Sequence, residues 1–215
     1  MKPDNLPLVV PIVPLEEPLL LPGTVVPFTA DEEWLQSLAE EVLAGDGYVG
    51  VVQVMEPETD LPDEELGLFT VGCLGRMEMG RPENPDEFLV GGVVRFRVIE
   101  WLEPENGYPR ARVDWMEFLD DLQDVETGLP FSALREIVRQ RVEIHHPDFD
   151  FSVMERMAGT EIATALAHAL PFCAAERQAL MEAPSLRDIE ELLLQLMLMA
   201  GPGSISFYHP PLRVC

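Results

Sequence analysis

Residues 13–28 read VPLEEPLLLPGTVVPF. Proline stands at 14, 18, 22 and 27, and Gly23 follows Pro22. Proline inside a helix removes a backbone donor and clashes with the preceding turn, so this apolar run does not read as helix. In a sheet, proline is confined to edges, strand starts and bulges. Residues 8–13 and 25–28 therefore read as two short strands, punctuated by proline and by the Pro22-Gly23 turn.

The same economy of short strands continues downstream. Residues 31–43 carry Trp34, Leu35, Leu38, Val42 and Leu43 at helical spacing. Thr29 or Asp31 is the expected cap, acids fill the first turn, and Gly45 is the stop. Residues 48–55, YVGVVQVM, form a buried-strand candidate, and 56–67 an acidic loop. A strand over 68–79 is interrupted by Gly72 and Gly75, and RPENPD at 81–86 is a turn. Over 87–102, Val94, Phe96 and Val98 alternate against Arg95, Arg97 and Ile99. Asn106-Gly107 is a hairpin signal, with 110–118 as the returning strand. Several strands at this spacing with one helix predict a partly closed barrel.

The composition changes near residue 120. Helices are expected at 130–144, at 152–170 with a break at Gly159, at 174–183 and at 185–199. Ser185 with Asp188 resembles a capping box on the last of these. The tail from 204 has no period. Residues 1–121 are thus a β-rich unit and 122–215 a helical one, an α+β chain.

Charge excludes several chemistries. The 215 residues hold 14 basic and 39 acidic side chains, a net charge of −25, and Lys2 is the only lysine. There is no Walker A lysine and no internal lysine for a Ser-Lys dyad or a Schiff base. Nucleic acid is not a favoured partner, because so acidic a chain repels phosphates. Fifteen acids and no base lie between Lys2 and Arg76, a surface suited to basic or neutral partners. Cys73, Cys173 and Cys215 are dispersed and include no CxxC, which suits a reducing, cytoplasmic setting. The most apolar run, 192–201, is too short to cross a membrane, for which about twenty residues are needed.

The motifs in order resemble the N-terminal domain of Lon proteases. The resemblance rests on Pro14-Leu15, Leu19–Leu21, Pro22-Gly23 and Pro27-Phe28, then GVVQ at 50–53, FTVGCLGRM at 69–77 and GGVVRFRV at 91–98. It continues through IATALAHALPFCAAERQALMEA at 162–183 and covers about residues 6–199. It implies a PUA-like β pseudo-barrel with one helix, followed by a C-terminal helical bundle. It implies a substrate-recognition role in proteolysis. The chain departs from Lon where chemistry would begin: its 215 residues hold no GxxxxGK[ST], and a protein without the ATPase and protease domains is expected. A stand-alone recognition module that needs no ATP is the expectation.

Other candidates carry structural readings. Gly91-Gly92 and Pro22-Gly23 read as backbone devices. His145-His146 with Asp148 and Asp150 reads as a helix end rather than a metal centre. The acids of 56–65 lack a calcium-loop pattern. The cysteines lack a neighbouring base, so no catalytic residue and no cofactor is expected. Arg95, Arg97, Arg110 and Arg112 would share one face if their strands pair, either ion-paired to the surplus acids or binding carboxylates. The functional expectation is a non-catalytic module that binds unfolded, basic or apolar peptide segments. Its surface is a cleft between barrel and bundle lined by Phe28, Trp34, Arg95, Phe96 and Arg97. The alternative is a small-ligand or RNA-binding PUA-like module. The apolar last helix and Cys215 leave a homodimer open.

Overall fold

The computed structural model describes residues 6–15, 19–30, 32–55, 67–80, 87–122, 136, 139, 161, 162, 166 and 172–199. The elements run β1 (Val9–Leu15), β2 (Val25–Thr29), α1 (Glu33–Ala44), β3 (Tyr48–Val54), β4 (Leu68–Met79), β5 (Glu87–Glu105) and β6 (Tyr108–Asp114). A 3-10 segment, Met116–Leu122, follows, then α2 (Ala174–Met181) and α3 (Leu186–Met199). The expected acidic loop (except Gly67), the turn at 81–86, most of the helices at 130–144 and 152–170, the His145-His146 pair and the tail lie outside the described residues.

One mixed sheet organises the chain. Its order is β2-β5-β4-β3-β1-β6, and β6 also pairs with β5. The long β5 makes this possible. Its first half is antiparallel to β4 and β2, and its second half is antiparallel to β6. β1 is parallel to β3 and antiparallel to β6, so the ladders run β1-β3-β4-β5-β6 and return to β1. At the β5–β6 turn Asn106 and Gly107 have φ of +54° and +88°, as a two-residue type I′ connection requires. The returning strand starts at Tyr108 and stops at Asp114, short of the expected 118, because the chain turns there into the 3-10 segment.

The ring interior is built around Phe96. Ile12 is level with Gly50 on β3, and Gly72 on β4 is level with Phe96 on β5. A Cβ on Gly50 would meet Phe96 Cζ at 3.0 Å and Ile12 Cδ1 at 2.6 Å. A Cβ on Gly72 would meet Phe96 Cζ at 2.9 Å, Val52 Cγ2 at 2.8 Å and the Val51 carbonyl oxygen. The phenyl ring occupies the room that both missing side chains leave, and Trp115 packs edge-on to it at 5.7 Å. The glycine interruption of β4 is therefore a packing requirement.

Helix α1 lies against β1, β4 and β6. It buries Leu35, Leu38, Ala39 and Val42, spaced three and four apart, and exposes Glu33, Gln36, Ser37, Glu40 and Glu41. Thr29 does not cap it, and Asp31 lies outside the described residues. Thr29 belongs to β2, and Glu32 takes the cap position without a side-chain cap bond; its carboxylate instead accepts the Trp34 indole N–H at 2.7 Å. The last helix starts as expected: the Ser185 hydroxyl accepts the Asp188 N–H at 3.3 Å and donates to its carboxylate at 2.6 Å.

Gly72→Ala should cost about 1–3 kcal/mol, the usual penalty of overpacking a filled core. Urea unfolding measures it, and Gly72→Ala combined with Phe96→Leu should recover part of the loss.

Candidate functional site

The alternation of β5 sends Phe96 and Arg95 to opposite faces. Phe96 enters the ring, and Arg95 stands on the outer face level with Cys73 and next to Arg97's row. From the sequence, Arg95 is expected to line a cleft open to a partner. Here it is 1% exposed, because the 3-10 segment and the end of α2 cover it.

Every contact of this guanidinium is accounted for by that cover. Nε and Nη2 donate to the two carboxylate oxygens of Asp121, each at 2.9 Å. The Arg95 backbone N–H donates to the same carboxylate at 3.0 Å. Nη1 donates to the carbonyls of Met181, at 3.1 Å, and Ala183. These carbonyls lie at the C-terminal end of α2, where helical C=O groups lack intrahelical partners and a cation is favoured. The Phe118 ring lies 4.5 Å beneath the guanidinium carbon. Nearby, the Gln178 side-chain amide donates to the Val71 carbonyl at 3.2 Å, a second tie from α2 to the sheet, here to β4. α2 itself begins at Cys173, whose N–H is held by the Glu176 carboxylate at 2.9 Å.

Beneath this lid Cys73 is fully buried, and burial pushes its thiol up to about 12, with the Asp121 charge adding to the effect. A thiol so protonated is a poor nucleophile. Cys173 is exposed.

Arg97 and Arg112 also face carboxylates. Arg97 donates to both oxygens of Glu117 at 2.8 and 3.0 Å, and these hydrogen bonds hold Glu117 below the usual carboxylate range. Arg112 donates to Glu100 across the β5–β6 ladder at 3.1 Å. The expected face of four guanidiniums is thus divided: Arg95 is sealed under α2, while Arg97 and Arg112 sit on the open surface in ion pairs. At the hairpin tip Asn106 donates to Glu41 at 2.9 Å. Tyr108 and Asn106 together draw the Glu41 carboxyl down, and burial pushes the Tyr108 phenol up to about 12.

The five residues expected to line a cleft do not form one surface. Phe28 is buried against Phe88, with ring centroids 5.9 Å apart. Phe96 is fully buried. Trp34 is half-buried on α1 beside the hairpin tip, where a Cβ on Gly107 would lie 3.7 Å from its own. Only Trp34 and Arg97 reach solvent. Sequence reasoning did not single out Ile99, Trp101 and Met116, which are 62%, 41% and 72% exposed. Ile99 and Trp101 lie at and just beyond the register shift between Val98 and Glu100, and Met116 opens the 3-10 segment. Among the described residues no group of three or more His, Cys, Asp or Glu side chains is placed to hold a metal ion. No described helix is long and apolar enough to cross a membrane.

Comparison with known proteins follows the same ring and helices. The family described as the ATP-dependent protease La (LON) substrate-binding domain matches residues 9–198. The chain belongs to this family. It is 27% identical over 202 residues to Lon protease 2 of Myxococcus xanthus, covering 90% of this chain and 24% of that protein. It is 34% identical over 115 residues to the Lon protease of Dictyoglomus thermophilum, covering 53% of this chain and 14% of that one. The LON-family chain thus spans about a quarter or less of these curated relatives. Its fold resembles the crystal structure of a Lon N-terminal domain protein from Xanthomonas campestris, with a TM-score of 0.56 and 19% identity over 88% of this chain and 97% of that one. The N-terminal domain of the Mycobacterium avium complex Lon protease superposes similarly, with a TM-score of 0.57 and 15% identity over 87% of this chain and 96% of that one. The match is to the substrate-binding domain and not to the ATPase or protease domains.

Two outcomes follow from the Arg95 contacts. Arg95→Ala strands the Asp121 carboxylate beneath α2 and should destabilise the fold by about 3–5 kcal/mol; Arg95→Met with Asp121→Leu should cost far less, read by denaturant unfolding. In native buffer, iodoacetamide should alkylate Cys173 rapidly and Cys73 only in denaturant, as peptide mass spectrometry resolves.

Proposed function

We propose that this LON-family domain is a non-catalytic module that binds protein or peptide segments, either unfolded or rich in apolar and basic residues. The observation that carries the reading is the match to a substrate-binding domain along residues 9–198. The chemistry of the chain supports it. The buried thiol of Cys73 is held protonated, and the chain contains no GxxxxGK[ST]. The acidic balance of −25 favours basic partners and disfavours phosphates. Of the described arginines of the β-rich half, Arg95, Arg97 and Arg112 are engaged by carboxylates, while the exposed Arg76 lies over the Tyr48 ring.

In this reading residues 1–121 form a PUA-like pseudo-barrel, supported by the closed circuit of ladders, and 122–215 form a helical subdomain. The Arg95 clamp ties β5 to the 3-10 segment and to the end of α2. The module works in the cytoplasm without ATP. Trp34 and Arg97 are the expected residues still open to a partner, and Phe28, Arg95 and Phe96 act by supporting the frame.

The test is capture of a chemically denatured, reduced globular protein carrying a fluorescent label. The denatured form should bind and the native form should not. Binding should weaken from 50 to 500 mM salt if charge contributes, and Trp34→Ala with Arg97→Ala should lower it at least threefold. Equal capture of native and denatured forms, or preferential binding of a labelled RNA oligonucleotide, overturns the reading.

A further inference from the structure

β2 ends the sheet. It pairs with β5 along one edge, and no described strand pairs with the other. The phase of its hydrogen bonds follows from one contact: the Gly92 N–H donates to the Thr24 carbonyl at 2.8 Å. In an antiparallel ladder bonded and non-bonded pairs alternate. Thr24 is level with Gly92, so Val26 with Val90 and Phe28 with Phe88 are the next bonded pairs. Val25, Pro27 and Thr29 are the non-bonded positions, and their backbone groups point away from β5. The free edge therefore offers two N–H groups, from Val25 and Thr29, and three carbonyls, from Val25, Pro27 and Thr29. Their side chains are exposed too, Val25 at 62%.

We propose that this edge takes up an extended peptide as an added strand, and that the peptide carries basic and apolar residues. The proposal rests on the protein-binding reading above and gives it a place and a mode. Unpaired strand edges present the donors and acceptors that a peptide main chain needs. Residues 19–30 carry no charge, so an apolar segment meets no charged side chain of β2. The exposed acids Glu32 and Glu33 stand just beyond the strand end and favour a cation on the segment.

A second copy of this chain is the poorer occupant. A two-fold pairing of β2 with itself centres on Pro27, where neither copy has an N–H to give. Two chains of −25 also repel each other. Pro27 thus blunts self-pairing while leaving Val25 and Thr29 available to a different strand.

The probe is a fluorescein-labelled eight-residue peptide alternating valine with lysine and arginine. Anisotropy gives its affinity, and hydrogen exchange on the full chain gives its location. Binding should slow exchange at the Val25 and Thr29 amides at least tenfold. Those of Val26 and Phe28, already paired to β5, should change little. A peptide with glutamate in place of its basic residues should bind at least tenfold more weakly. Pro27→Val supplies the missing donor and should tighten binding about fivefold, one ordinary hydrogen bond. A peptide that binds without protecting Val25 and Thr29 overturns the edge and leaves the protein-binding reading intact. So does a peptide that fails to bind while denatured protein is still captured. Failure of both probes overturns both.

Discussion

A guanidinium taken out of water must find acceptors for its fixed fork of donors, or the fold does not form. Desolvation costs several kcal/mol per ion, and only good geometry with further hydrogen bonds offsets it. Arg95, on β5, meets that demand with two separate stretches of chain: the 3-10 segment through Asp121, and the end of α2 through Met181 and Ala183. The demand is directional, unlike the hydrophobic contacts around it. Greasy surfaces of the sheet and the helices can slide past one another, but a forked donor set cannot. Arg95 therefore fixes where α2 sits on the outer face of β4 and β5, and with it the burial of Cys73.

That constraint explains which part of the site was legible in sequence. The alternation that put Val94, Phe96 and Val98 on one face and Arg95 and Arg97 on the other is intact. Alternation reports which side of a sheet a residue takes, but not what covers that side. Arg95 and Arg97 stand two residues apart on the same face; one lies beneath α2 and the other in solvent, and the residues responsible are 26 to 88 positions away. Phe28 read as a surface residue for a related reason: its strand is at the sheet's end, yet its side chain turns inward onto Phe88. Local signals fared better. Asn106-Gly107, Gly45 and Ser185 each act through their immediate backbone, and each stands where its chemistry required. The cap of α1 was misplaced because several acids compete there, and side-chain pairing with Trp34 engages Glu32.

The acidity of the chain also has a structural side. Arg76 lies over the Tyr48 ring, but with 39 carboxylates and 14 cations several arginines near the sheet pair with an acid. Arg95, Arg97 and Arg112 each do so, with very different burial. The exposed pairs are screened by water and salt and contribute little. Their effect is to neutralise the β5–β6 surface locally, which leaves Ile99, Trp101 and Met116 among balanced charges while the surface of α1 stays acidic.

The return of the ladders to β1 has a kinetic meaning. Val9 pairs with Arg112, so the ring cannot close until two segments about a hundred positions apart meet. Contacts of such high sequence separation slow folding, because the entropy of the intervening loop is lost before the contact rewards it. On a ribosome β1, β3 and β4 can assemble while β6 is still unmade. During that interval β1 has a bare edge, and the far half of β5 has no partner. Both edges stay open to other strands for as long as synthesis takes to reach β6.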